Sequence, residues 1–180
     1  MDKFELSELL NGRPENIENE KEKNCYDILD NLKIKYQRVE YNFFPKEIED
    51  LESIDKALQV AGIKNLVFKT KNQEHFYFII IPREERFEEK AFRNKYNLPK
   101  ITMAKSEDLE ILLKTHSGAV SIMELVNDTD NKIKLFVDEK ILSKDYFRFH
   151  PNENKATVRI SMEDFKNKLI PYLKHDINIL

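Results

Sequence analysis

The stretch that decides the fold is residues 63–82, which read IKNLVFKTKNQEHFYFIIIP. Its second half, His75–Pro82, is almost wholly apolar, which is typical of a strand buried on both faces. In its first half Leu66 and Phe68 recur with a period of two, which predicts a central strand beginning at Ile63. Asn72–Gln73 lies between the two strands and predicts a hairpin turn. A pair of central strands is therefore expected at the core of the molecule.

The segments outside this hairpin alternate irregularly between strand and helix patterns. Strands are predicted at Ile34–Tyr41, Ile101–Met103 and Ile133–Val137, and Tyr146–His150 with Lys155–Ile160 predicts a second hairpin. Helices are predicted over 17–32, 53–60, 87–96, 106–114 and 162–173, with a helical turn at 138–142 and with Ser53, Ser106 and Ser161 as N-caps. This mixture predicts a mixed α/β fold in which a highly curved sheet is surrounded by helices.

Length and composition set limits on the class of protein. At 180 residues the chain is expected to form a single domain over 1–180, with residues 1–16 as a peripheral N-terminal extension. Cys25 is the only cysteine, so an internal disulfide and a cysteine-based metal site are excluded. No apolar run is long enough to span a bilayer, and the N-terminus carries acids where a signal peptide needs basic residues. A cytoplasmic protein without membrane association is expected.

The net charge of −3 argues weakly against bulk nucleic-acid binding, for which basic surfaces supply the affinity. Local basic clusters are nevertheless present at Lys64, Lys69 and Lys71, and at Lys90, Arg93, Lys95 and Lys100. Such clusters serve either a nucleic-acid ligand or an ordinary solvated surface, and composition leaves both interpretations open.

Several kinds of site lack their motifs. The histidines (75, 116, 150 and 175) are scattered, with no HExxH spacing, so no metal site is expected. The chain has no GxGxxG, no P-loop and no GxSxG, so no dinucleotide, phosphate-loop or serine-nucleophile signature is present and no cofactor is expected.

Three residues remain as candidates for chemistry. Lys64 starts a strand, where its ammonium can hold a phosphate or another anion. Gly118 lies in a loop, where backbone N–H groups can approach a ligand closely and stabilise an oxyanion. His150 precedes Pro151 at a turn. Each alone has an ordinary interpretation: a surface lysine, a turn glycine or a hydrogen-bonded histidine.

Taken together, the motifs resemble the YbaK/ProX family of prolyl-tRNA editing domains, and Gly12–Asn16 resembles the opening of its freestanding, PrdX-type members. The resemblance rests on five segments in the family's order: Lys64–Lys69 (KNLVFK), Ser117–Met123 (SGAVSIM), Val126–Asp128 (VND), Phe136–Glu139 (FVDE) and His150–Thr157 (HPNENKAT). It extends from about Asn11 to Leu173.

The resemblance implies a curved, barrel-like mixed sheet and an enzyme that hydrolyses alanine mischarged onto proline tRNA. Its partners would be the 3′ CCA end of the tRNA and prolyl-tRNA synthetase, and the oligomeric state stays open. Lys64 matches the family's essential lysine, Gly118 its site loop and His150 its pocket histidine. Asn154 matches a motif position without an assigned role.

The chain departs from the family pattern at three positions. Ser117 stands where the family usually has proline, Ala119 where serine is commoner and Lys155 where threonine is usual. None of the three replaces a matched catalytic residue. The departures therefore bear on amino-acid specificity more than on catalysis.

The expected mechanism is attack of a positioned water on the aminoacyl ester, because an ester is already activated. Backbone N–H groups of Gly118, Ala119 and Val120 would receive the oxyanion, and Lys64 would hold the terminal adenosine. Ala61 and Met123 are either walls of an alanine-sized pocket or core filler.

Two rival functions stay open. The chain could edit another mischarged product (serine, cysteine or threonine), or it could be a non-catalytic tRNA- or synthetase-binding module. The two basic clusters would suit either an enzyme or a binding module.

Overall fold

The structure, a computed structural model, describes residues 3–72, 74–152 and 155–180. Its strands are β1 (Leu10–Asn11), β2 (Tyr36–Glu40), β3 (Ile63–Thr70), β4 (Phe76–Pro82), β5 (Ile101–Met103), β6 (Ile133–Val137), β7 (Tyr146–Phe149), β8 (Ala156–Ser161) and β9 (Ile177–Ile179). Its α-helices are α1 (Glu20–Asn31), α2 (Ile48–Leu58), α3 (Glu89–Tyr96), α4 (Ser106–Leu113), α5 (Glu139–Leu142), α6 (Met162–Asp164) and α7 (Ile170–Tyr172). A 3₁₀ helix covers Ile122–Asn127 and a π-helical segment covers Phe165–Leu169.

The strands form two sheets. The four-stranded sheet has the order β1-β2-β8-β7 with antiparallel neighbours throughout. The five-stranded sheet has the order β5-β3-β4-β6-β9, in which β6 is parallel to both β4 and β9. The mixed α/β class is confirmed. Within the described residues the strands form two open sheets, with β5 and β9 at the edges of the larger one, where one barrel-like sheet was predicted.

The described chain divides into two compact units, bounded by Met1–Gly62 with Lys144–Leu169 and by Ile63–Ser143 with Ile170–Leu180. The first, called unit 1 here, contains the four-stranded sheet, and α2 packs on β2 and β8. Leu10 and Asn11 pair with Arg38 and Gln37, so the N-terminal segment supplies an edge strand to this sheet.

The core of unit 1 lies beneath α2 and along the β7–β8 hairpin. Val39, Ile54 and Leu58 are fully buried there. Phe147 stacks on Phe165 with 3.8 Å between ring centroids. Aliphatic burial of this kind is the main stabilising contribution available to a small unit.

The second compact unit, called unit 2, is built on the β3–β4 hairpin. Residues 78–80 of β4 have no exposed surface, as expected for a strand covered on both faces. On one face of the hairpin an aromatic cluster joins Phe68 and Tyr77 to Phe92 of α3, which meets Phe136 edge to face at 4.9 Å. The hairpin strands were predicted to within one residue, while Gln73 of the predicted turn lies outside the described residues.

Two helix predictions need correction. The helix predicted to start at Ser53 starts at Ile48, because Glu47 and Asp50 form a reciprocal capping box one turn earlier. Ser53 lies inside that helix and its hydroxyl donates to Asp50 O. Ser106 is the first helical residue of α4 and Lys105 is its N-cap, although Ser161 does cap α6 through Asp164 N as predicted.

Candidate functional site

The segment of unit 2 that carries Gly118 makes a tight turn. Ala119 N donates to His116 O at 3.1 Å, which closes a four-residue turn with Ser117 and Gly118 at its centre. Gly118 has φ +88°, and a type II turn requires such a value at its third residue. Ser117 N donates to Ser106 Oγ at 3.3 Å, which a proline at this position could not do. A hydrogen bond to α4 thus takes the place of the ring that the family pattern has here.

The backbone N–H groups of this turn differ in what they contact. The N–H of Ala119 is used within the turn. Among the described residues, the N–H groups of Gly118 and Val120 donate to no protein acceptor. Gly118 is exposed and Val120 half-buried, so both groups lie near the surface. Two uncommitted N–H groups, two residues apart, suit an anion or the oxygen of a polarised carbonyl.

Buried polar side chains hold the peptides on both sides of Val120. Asn65 Nδ2 donates to Val120 O at 2.9 Å, and Thr115 Oγ1 donates to Ala119 O at 3.4 Å. Ser121 N donates to the Glu124 carboxylate at 2.9 Å. Thr115, Ser121 and Glu124 are all buried, so their polar atoms serve the loop and not solvent. Val120 is therefore held in one orientation before any ligand arrives.

Lys64 and Asn65 are neighbours on β3 but belong to different faces of the sheet. Lys64 lies opposite Ile81 and Asn65 opposite Ile80 in the antiparallel register. Since side chains alternate along a strand, Lys64 shares its face with Leu66 and Phe68. Asn65 is on the face that meets the Val120 carbonyl. The residue of this strand that contacts the loop is thus Asn65, while Lys64 is half-buried at the start of the strand.

An ion pair joins β3 to α4, the helix that leads into the loop. Lys69 Nζ lies 2.6 Å from the Asp108 carboxylate, and both side chains are about nine-tenths buried. Burial alone would raise the pKa of Asp108, but hydrogen bonds from Lys69 and the Lys105 N–H outweigh it and lower that pKa. At the other end of the helix, Asn127 Nδ2 donates to Leu113 O at 2.9 Å. Both ends of α4 are therefore fixed, and with them the start of the loop.

Two predicted site residues belong to unit 1. His150 follows β7 directly and is half-buried, and Asn152 N donates to its carbonyl at 2.9 Å, which closes the turn around Pro151. Ala61 is half-buried after the end of α2. Asn154 lies outside the described residues, so its role stays a prediction.

Two residues predicted to bind substrate are buried within unit 2. Met123 has no exposed surface and Ala119 is 9% exposed. A side chain without exposed surface offers nothing to a ligand, so the burial of Met123 favours the core-filler interpretation over the pocket wall.

Sequence reasoning missed the residues that hold the loop. Asn65 belongs to the KNLVFK motif but had no predicted role, and the sequence predicted no role for Thr115 or Glu124. The spacing Ser121-x-x-Glu124 is a capping-box signature, and both reciprocal hydrogen bonds of that box are present in the structure. That signature could have identified Glu124 from sequence.

Other kinds of site find little support in the described residues. No group of three or more His, Cys, Asp or Glu side chains there could hold a metal ion. Burial raises the pKa of the Cys25 thiol, which disfavours the thiolate that a cysteine nucleophile needs. No helix in the described ranges has the length and apolar character needed to cross a membrane.

Comparison with known proteins points to one family. The model of a family described as the aminoacyl-tRNA editing domain matches residues 46–168. The chain is 29% identical over 138 residues to a protein named prolyl-tRNA editing protein ProX from Acetoanaerobium sticklandii, which covers 77% of this chain and 84% of that protein.

Two solved structures have a similar fold. One is the hypothetical protein APE2540, with a TM-score of 0.65 and 14% identity over 88% of this chain and 97% of that one. The other is a candidate trans-editing enzyme for prolyl tRNA synthetase, with a TM-score of 0.64 and 15% identity over 90% of this chain and 97% of that one. At these identities the likeness concerns the fold alone.

Proposed function

This chain belongs to the aminoacyl-tRNA editing domain family, and from that premise we propose that it is a deacylase acting in trans on alanine mischarged onto proline tRNA. The resemblance to the YbaK/ProX family is confirmed by the match over residues 46–168 and by the similarity to ProX. The observation that carries the mechanism is the pair of uncommitted N–H groups at Gly118 and Val120.

The reaction needs stabilisation of the oxyanion that forms when water attacks the ester carbonyl. The Gly118 and Val120 N–H groups are proposed as its donors, since the Ala119 N–H is already used in the turn. One well-placed donor is worth about 3–4 kcal/mol of transition-state stabilisation. The bonds from Asn65, Thr115 and Glu124 support this role, because donors fixed in advance need no reorganisation as charge develops.

Lys64 is proposed to hold the phosphate or ribose of the terminal adenosine, and not the oxyanion. Its place on the face opposite Asn65 supports a separate role from that of the loop. A compact ammonium on a flexible stem suits a phosphate. The 2′-hydroxyl of the substrate orients the attacking water, and His150 contributes to turnover by shaping or polarising the substrate pocket.

Selectivity for alanine is proposed to rest on size. A synthetase pocket for proline cannot strongly reject a smaller amino acid, because one methylene is worth only about 1–3 kcal/mol. A smaller second pocket admits alanine and excludes the proline ring. Ala61 is half-buried and is the better candidate for its wall, whereas Met123 is fully buried. Ala61→Val should change the ratio of alanyl to prolyl ester hydrolysis, with Met123→Leu as the core control.

A panel of aminoacyl-tRNAs tests the proposal. The purified protein should hydrolyse Ala-tRNA(Pro) fastest, and Lys64→Ala should lower kcat/KM by about 100-fold, the effect of losing a charged contact to the reacting substrate. Lys134→Ala is the matched control, since it removes one exposed positive charge from the same unit. Full activity in Lys64→Ala would remove Lys64 from the mechanism.

The same panel separates the two rival functions. Faster hydrolysis of seryl, cysteinyl or threonyl esters would indicate an editor of another mischarged product. Tight tRNA binding without turnover of any ester would indicate a binding module.

A further inference from the structure

The side-chain amide of Asn65 has one atom with a hydrogen-bond partner and one without. Its Nδ2 donates to Val120 O at 2.9 Å. Its Oδ1 is buried, and no donor among the described residues reaches it. Rotating the amide by half a turn would place Oδ1 against the Val120 carbonyl oxygen, so the orientation is determined by its one partner.

A buried acceptor without a donor destabilises a fold, whereas an apolar side chain of similar shape at the same place does not. Asparagine is also depleted in strands, where β-branched residues are preferred. Along β3 the next residue on the same face is Val67, which is 4% exposed and needs no polar partner. Stability alone therefore gives no clear preference for asparagine at position 65, because valine would remove the orphaned Oδ1 but would leave the Val120 carbonyl without its donor.

What the amide contributes is the position of Val120. The peptide that follows Val120 is held at its carbonyl by Asn65 and at its N–H by Glu124. The peptide that precedes Val120 is held at its carbonyl by Thr115. Among these three contacts, the one from Asn65 alone comes from β3, the strand that also bears Lys64. It therefore links the orientation of the proposed oxyanion donor to the strand of the proposed substrate anchor.

We infer that Asn65 is a positioning residue for deacylation, which holds the carbonyl of Val120 and so fixes the orientation of that residue, whose N–H meets the forming oxyanion. The inference rests on the proposed function. It assigns to Asn65 no contact with the substrate and no proton transfer.

The inference predicts a loss of activity in Asn65→Val without a matching loss of stability. Asn65→Val should lower kcat by about 100-fold, the loss typical of a displacement of about 1 Å in a catalytic group. KM should stay within about 2-fold, because the substrate anchor is untouched. The melting temperature should change by no more than about 2–4 °C, since the variant removes the orphaned Oδ1 and leaves the carbonyl of the half-buried Val120 without its donor.

Two further variants control this test. Asn65→Asp keeps the size of the side chain and loses the donor to Val120 O, so it should lower kcat as Asn65→Val does. Asn178→Val is the matched control, because Asn178 Nδ2 also donates to a strand carbonyl, that of Leu135, at 3.0 Å in the same unit. Its kcat should stay at the wild-type value.

A spectroscopic measurement tests the hydrogen bond to Val120 independently of turnover. The ¹³C shift of the Val120 carbonyl reports whether it accepts a hydrogen bond, and it should change in both Asn65 variants but not in Asn178→Val. Active wild-type protein together with normal kcat in Asn65→Val would overturn the inference and leave the proposed function intact. An unchanged Val120 shift, or a large fall in melting temperature with a proportional loss of active protein, would also overturn it. Wild-type protein inactive on every ester would overturn the proposed function, and this inference with it.

Discussion

The polar groups beneath α2 in unit 1 and those around Val120 in unit 2 are used in opposite ways. Beneath α2, Arg159 donates to Leu58 O and to Gln37 Oε1, with its guanidinium 4.2 Å from the centre of the Tyr146 ring. Arg148 pairs there with Asp55. Around Val120, by contrast, one acceptor and two N–H groups have no partner among the described residues.

This difference indicates which polar residues build the fold and which are available for chemistry. Beneath α2, an arginine satisfies a carbonyl at the end of a helix, where the helix itself leaves acceptors unpaired. Around Val120, side chains hold the backbone but leave donors uncommitted. The polar side chains beneath α2 are therefore committed to the fold, whereas the N–H groups around Val120 are available to a ligand.

The largest expected effect comes from breaking the network beneath α2. Asp55→Ala should lower the free energy of unfolding by about 3–5 kcal/mol, because it leaves the Arg148 charge nearly buried without this partner. Chemical denaturation measures the change. Turnover per folded molecule should change by less than about 3-fold, the scatter expected when no transition-state contact is lost.

An exposed ion pair of the same unit controls this prediction. Arg13 and Asp27 pair at 3.0 Å with side chains 39% and 45% exposed. Asp27→Ala should therefore cost about 1 kcal/mol or less. A loss of turnover in Asp55→Ala that exceeds its loss of folded protein would show that the network beneath α2 is not purely structural.

A smaller loss of stability is expected at a buried pair of side chains in unit 2. It tests whether a buried, paired side chain has a structural role in this unit as it does in unit 1. His175 Nε2 lies 3.0 Å from Asp128, which also accepts from the backbone N–H groups of Lys132 and Ile133. Burial alone would raise the pKa of Asp128, but these hydrogen bonds lower it below the ordinary value. Asp128→Asn should cost about 2 kcal/mol of stability at neutral pH.

The sign of the pH dependence follows from the lowered pKa. The unfolded chain binds the Asp128 proton at about pH 3.9, before the folded chain does. The stabilisation is therefore complete above that pH and is lost as the pH falls through the native pKa. Denaturation of wild type and Asp128→Asn between pH 7 and pH 3 should show the difference shrinking. Asp130→Asn, at an ion pair with both side chains more than half exposed, is the control. A difference that grows on acidification would contradict the assignment.

The strands of the β3–β4 hairpin could be read from sequence because apolar periodicity alone determined them. Short elements could not: β9 is three residues long and becomes a strand only by pairing with β6. Of the candidate site, Lys64 and Gly118 were predicted from motifs. Asn65 was missed because its role depends on a contact 55 positions along the chain, with the carbonyl of Val120. Hydrogen bonds to distant backbone atoms leave no local pattern in the sequence. The division into two sheets also depends on pairing between distant strands.

The smallest expected loss of stability is at Gly118 in the loop. The substitution tests whether the space beside Gly118 must stay open for the substrate. A Cβ added at Gly118 would meet nothing within 4 Å, so Gly118→Ala meets no steric clash and only the φ of +88° opposes it. That conformation costs a non-glycine residue about 1–2 kcal/mol, which denaturation should detect.

If the loop serves only as a turn, kcat should fall no further than the fraction of unfolded protein. If Gly118 lies against the ester, the added methyl occupies space that the substrate needs. KM should then rise while the Val120 carbonyl shift stays at its wild-type value. A Gly118→Ala protein with unchanged stability, KM and kcat would show that neither the φ value nor the open space is required, and would remove Gly118 from the candidate site.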